Sequence, residues 1–77
     1  MTDKISLLKS AVLQLEYWKN NVFVETFNKV IVISKNKLGK YEYTPKNYNF
    51  SNLIKNPDDI IGILIVDYEK DEDIRIY

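Results

Sequence analysis

Histidine and cysteine are both missing from this 77-residue chain, so any chemistry must come from carboxylates, lysines, tyrosines and serines. Ser-His-Asp and Cys-His nucleophile arrangements are excluded, and so are transition-metal sites built on imidazole or thiolate. With Gly39 and Gly62 as its only glycines, the chain has neither a Walker loop nor a dinucleotide-binding fingerprint. Four serines and eleven acids fall into no recognisable catalytic motif. The expectation is a protein that is not an enzyme and that holds no cofactor or metal.

Two charged segments remain as candidate interaction surfaces. The first is acidic: Asp67, Glu69, Asp71, Glu72 and Asp73. Its alternating carboxylates superficially suggest a calcium loop, but the sixth position is Glu72 instead of glycine and no twelfth-position glutamate follows. It reads as a solvated hairpin tip, and such a tip can also imitate nucleic-acid phosphates toward a basic cleft on another protein. The second is basic and aromatic: Lys35, Lys37, Lys40, Tyr41, Tyr43, Lys46 and Tyr48. Lysines interleaved with rings suit single-stranded nucleic acid, with bases stacked on tyrosines and ammonium groups beside phosphates. Tyr41 and Tyr43 would share a strand face. The alternative is ordinary strand tyrosines making cross-strand pairs, with lysines lining loops.

The zero net charge conceals this split. Residues 28–55 carry six lysines against Glu42, a net of +5, and residues 56–77 carry seven acids against Lys70 and Arg75, a net of −5. One arginine among eleven basic residues argues against sequence-specific DNA reading, for which guanidinium is the preferred fork. The neighbouring acids also oppose a polyanion. Alternatively, the basic segment of one subunit docks on the acidic segment of its mate.

These residues must be positioned by a small α+β fold. Ile5, Leu8, Ala11, Val12, Leu15 and Trp18 recur at three- and four-residue steps, with Leu7 widening the stripe. That spacing predicts an amphipathic helix, capped by Thr2 or Asp3 and ending near Asn20. Val22–Phe27 and Val30–Ser34 read from their β-branched and aromatic content as two strands around Asn28-Lys29, or, since that turn lacks a glycine, as a single long bent strand. Lys35–Lys40 reads as a turn and Tyr41–Thr44 as a strand ending at Pro45. Phe50–Lys55 forms a short helical turn, and Pro57 opens another. The run Ile60–Val66 is a buried strand, and Asp73–Tyr77 completes a terminal hairpin. The expected fold is an N-terminal helix packed on an antiparallel sheet of four to five strands, in one domain spanning 1–77.

No staple stabilises so short a chain, which leaves its 45% apolar content to do so alone or with a second chain. Association is expected from two features. Ile60–Val66 is apolar on both strand faces (Ile60, Leu64 and Val66 one way, Ile61, Ile63 and Ile65 the other) and needs cover on both. Leu13 and Tyr17 lie one turn apart on the helix side away from the main stripe, near Ser6 and Ser10, as a candidate helix interface.

In size and composition the chain is similar to small inhibitors, immunity proteins and anti-defence proteins of phages, plasmids and low-GC bacteria, which act by masking a surface. That similarity rests on no motif. The expected function is therefore a non-enzymatic inhibitor or adaptor acting by protein–protein contact, with another protein or with itself as a homodimer. Single-stranded nucleic-acid binding and a structural place in a larger assembly are the alternatives. Asp3, Lys4 and Lys9 interrupt the first ten residues, and the longest apolar run is far short of a membrane helix. A cytoplasmic location without membrane contact is expected.

Overall fold

A 3.6-residue period followed by runs of β-branched residues dictates a helix and then a sheet. The computed structural model, which describes residues 3–36 and 39–77, has this order. Helix α1 (Lys4–Asn21) precedes strands β1 (Asn28–Ser34), β2 (Gly39–Tyr43), β3 (Ile60–Asp67) and β4 (Glu72–Arg75). The sheet is antiparallel throughout, in the order β2-β1-β3-β4. Three 3₁₀ turns, Pro45–Asn47, Phe50–Lys55 and Pro57–Asp59, carry the chain from β2 to β3. Thr2 and Lys37 lie outside the described residues.

Asp3 caps α1 by accepting from the Ser6 N–H at 2.7 Å, satisfying one of the helix's orphan donors. That bond holds its carboxyl below the ordinary value. At the other end Asn20 and Asn21 fold back, donating to the Glu16 and Tyr17 carbonyls. Leu8, Ala11, Val12 and Leu15 are buried, but Ile5 and Leu7, expected in the stripe, are 47% and 52% exposed. Leu7 instead lines an open depression with Lys4, Ile60, Ile61, Ile76 and Tyr77.

Val22–Phe27, expected as a strand, is instead a turn. The Asn28 side chain accepts from the Val24 N–H at 2.7 Å, while the Phe27 and Asn28 N–H groups donate to the Val24 carbonyl. A local side-chain acceptor has outcompeted the β preference of Val22, Val24 and Phe27.

Beyond Asn28 the alternation is regular. Asn28, Val30, Val32 and Ser34 are buried on the core face, Val30 and Val32 within the cluster that includes α1, and Lys29, Ile31 and Ile33 point to the opposite face. Register then changes: Ile33 pairs with Gly62, but Ser34 pairs with Ile60. Ile61 is the extra residue of a β-bulge, and its insertion reverses the facing of whatever precedes it. Ile60 consequently joins Ile63 and Ile65 in the core, and Ile61 is 46% exposed. The strict alternation expected for this run therefore fails at its first two residues.

The bulge is held by Asp59. Its carboxylate accepts from the Ser34 hydroxyl at 2.7 Å and the Asn36 N–H at 2.6 Å, and its carbonyl accepts from the Lys35 N–H. The connection from β2 packs beside α1. Phe50 and Leu53 enter the same core, the Phe50 N–H donates to Glu16, and Lys19 donates to the Tyr48 carbonyl. Helix and connection thus cover one and the same face of the sheet.

Candidate interaction surface

The opposite face has no second layer among the described residues. Cross-strand pairing fixes its composition, because paired residues share a face. Glu42 pairs with Ile31, Ile31 with Leu64, and Leu64 with Arg75. One row across all four strands therefore reads acid, aliphatic, aliphatic, base. On one side of it lie Lys29, Val66 and Asp73, and on the other Lys40, Ile33 and Gly62. The aliphatic side chains sit on the two central strands and the charges mostly on the two edges.

Arg75 is fixed on this face. Its guanidinium donates to the Ile61 carbonyl at 3.1 Å and the Tyr77 carbonyl at 3.0 Å, and it lies over Gly62. A Cβ at Gly62 would meet the Ile33 Cδ1 at 3.2 Å and the Arg75 guanidinium at 3.4 Å. Glycine here leaves room for both side chains. Lys29 is likewise held, donating to the Thr44 hydroxyl at 3.0 Å.

The acidic residues gather at the β3–β4 turn. Asp67 accepts from the Glu69 and Lys70 N–H groups at 3.0 and 3.1 Å, and Asp71 takes a positive φ of 54°. Asp67 thus closes its own turn, while Glu69, Asp71, Glu72 and Asp73 are exposed around it. Among the described residues no three acids gather to hold a metal ion.

The basic and aromatic residues do not form one surface. Lys35 sits at the β1–β2 turn, Lys40 on the bare face and Lys46 at the far end in the first 3₁₀ turn. Tyr41 and Tyr43 do share a face, but it is the core face, opposite Val32 and Val30. Tyr43 stacks on Tyr48 with centroids 3.9 Å apart, and Tyr48 meets Phe50 edge-on at 5.2 Å. Burial chiefly, and Tyr43 beside it, push the Tyr48 hydroxyl up to about 12. These rings spend their faces on one another, which leaves a base little to stack on.

Leu13 and Tyr17 are 71% and 59% exposed and, with Ser10 and Gln14, line a shallow depression on the helix layer. They are on the opposite side of the molecule from the bare sheet face. A further apolar depression of about 240 Å³ is lined by Trp18, the Val22–Phe27 turn, Ile65 and Ile74.

The contributions of Ile31 and Ile33 were not anticipated. Their signal was present: Val30-Ile31-Val32-Ile33 is apolar at every position, as is most of β3, and two adjacent strands of that kind need cover on both faces. No protein-family model, curated protein or solved structure matches this chain. No helix among the described residues is long and apolar enough to cross a membrane.

Proposed function

We propose that this protein is a non-enzymatic binding module that acts by protein–protein contact through the bare sheet face. The supporting observation is the aliphatic centre of that face, formed by Ile31, Ile33, Leu64 and Val66, each of them half-buried. An antiparallel sheet that keeps one face in water normally alternates to polar residues there. Here the central strands do not alternate, while the edges do carry charge. An apolar centre with a polar rim is the anatomy of a contact surface. An inhibitor or adaptor masking a partner's surface needs nothing more.

A paired substitution tests this reading. Ile31→Lys with Leu64→Glu turns the central row into alternating charges that neutralise one another, so the fold is retained. The variant is expected to lose every association that the wild type shows by light scattering or affinity capture. Associations that persist in the variant, or a wild type that associates with nothing, would refute the proposal.

A further inference from the structure

We infer that the occupant of the bare face is a second copy of this chain, packed face to face about a two-fold axis parallel to the strands. The inference rests on the contact surface proposed above and names its partner. The row Glu42–Ile31–Leu64–Arg75 is self-complementary under this operation. An axis running along the strands between β1 and β3 lays β2 of one copy over β4 of the other, and β1 over β3. Glu42 then faces Arg75 of the second copy, and Ile31 faces Leu64, with each contact made twice. Such reciprocity is what an isologous interface requires.

The flanking rows agree with this choice. Ile33 faces the position of Gly62, where it meets the Arg75 guanidinium that lies over that glycine. Lys29 faces Val66 of the other copy, and Asp73 is offset from Lys29 of the other copy by one strand spacing, ~4.8 Å, along the sheet in addition to the gap between the sheets. An axis across the strands instead would set Glu42 over Glu42 and Arg75 over Arg75, and like charges oppose association. Packed sheets cross at about −30°, which leaves the Ile31–Leu64 contact at the centre least displaced and shifts the edge residues Glu42 and Arg75 as much as the outer rows. The sheets would stand ~10 Å apart, so the Arg75 guanidinium, which lies over Gly62, turns outward from its own face to meet Glu42 of the second copy. Arg75 uses two of its five N–H donors on carbonyls, so donors remain for a carboxylate.

Four strands over about five residues bury on the order of 1,000 Å² in total, the lower end for a specific interface. A weak, concentration-dependent dimer is accordingly expected.

The test is a charge exchange read by sedimentation velocity from about 1 µM to about 500 µM, where mass action separates monomer from dimer. Glu42→Arg places arginine against Arg75, and Arg75→Glu places glutamate against Glu42. Each variant alone is expected to lose at least ~100-fold in self-affinity. Mixed in equal amounts, they present opposite charges at both contacts and are expected to form a one-to-one heterodimer. Circular dichroism verifies that each is folded. Should Arg75→Glu not fold, Glu42→Arg alone decides, because unchanged self-association in that variant overturns the arrangement. A wild type monomeric at about 500 µM, or a mixture that stays monomeric, overturns it as well. A monomer whose capture of a different protein is abolished by Ile31→Lys with Leu64→Glu would overturn the second-copy partner while leaving the contact surface intact.

Discussion

Ile63 and Leu64 are neighbours of similar size in one strand, and the structure assigns them opposite fates. Ile63 is fully buried between the sheet and the helix layer, and Leu64 is on the bare face. Truncation to alanine therefore separates folding from association. At Ile63 it removes buried methylenes and leaves a cavity, costing about 3–4 kcal/mol. The whole domain, at 77 residues, holds on the order of 4–12 kcal/mol. At Leu64 the dilute subunit loses only same-face contacts with Ile31 and Arg75, about 1 kcal/mol or less. Urea denaturation followed by Trp18 fluorescence resolves the two. With a slope of about 1 kcal/mol per molar urea, the midpoint falls by ~3 M for Ile63→Ala and by no more than ~1 M for Leu64→Ala. Those values apply to dilute protein. Concentrating the wild type raises its midpoint if two copies associate through this face, and Leu64→Ala is expected to abolish that increment. Equal losses for the two variants in dilute solution would refute the claim that one face of the sheet is bare.

Asp59→Ala tests the clamp on the bulge. It removes two hydrogen bonds to a carboxylate, one of them from the buried Ser34 hydroxyl, for an expected loss of about 3 kcal/mol in the same denaturation assay. A loss within ~0.5 kcal/mol, the range of an ordinary surface change, would show that Asp59 does not hold the bulge. Tyr48 gives a pH test. Its folded value of about 12 lies above the ordinary 10.0, so its contribution is complete below pH 10 and is lost as pH rises toward 12. Burial also raises Tyr77, so ultraviolet titration is expected to show late-ionising tyrosines whose amplitude Tyr48→Phe reduces, and an unchanged late component in that variant would assign it to Tyr77 alone.

Much of the fold was legible because periodicity survives in the chain. The helix, the Tyr41–Tyr43 strand, the 3₁₀ turn at Phe50 and the terminal hairpin follow from spacing and turn residues alone. What was not legible depends on side chains reaching across or along the backbone. Asn28 captures Val24 and converts an apparent strand into a turn. Asp59 lies 25 residues from Ser34, yet bonds it where the register shifts, and no local pattern announces which residue of a bulged strand will be extra. Of the candidate surfaces, the acidic cluster forms at a turn, as its composition suggests. The lysines disperse because β2 and its connection carry them to different ends of the sheet. The central row of the bare face was hidden for another reason. Its members, 31, 42, 64 and 75, are joined only by strand order and register, which sequence spacing does not encode.

Strand order also decides between a closed pair and an open assembly. β2 and β4 are both edges, and they run in opposite directions, so β4 of one copy beside β2 of the next would continue the sheet antiparallel. Repeated by translation, that contact does not close and yields a filament. The edges are built against it. β4 is only four residues long and fully exposed, and Lys40, Glu42, Asp73 and Arg75 put charge on both edge strands. Short, charged edges are the usual protection against strand addition. The face between them carries no such protection, and its central charges attract under a two-fold axis. Association that stops at two copies is the outcome this distribution favours. Particle size that kept growing with concentration would place the contact at the edges and make the protein a structural unit of a larger assembly.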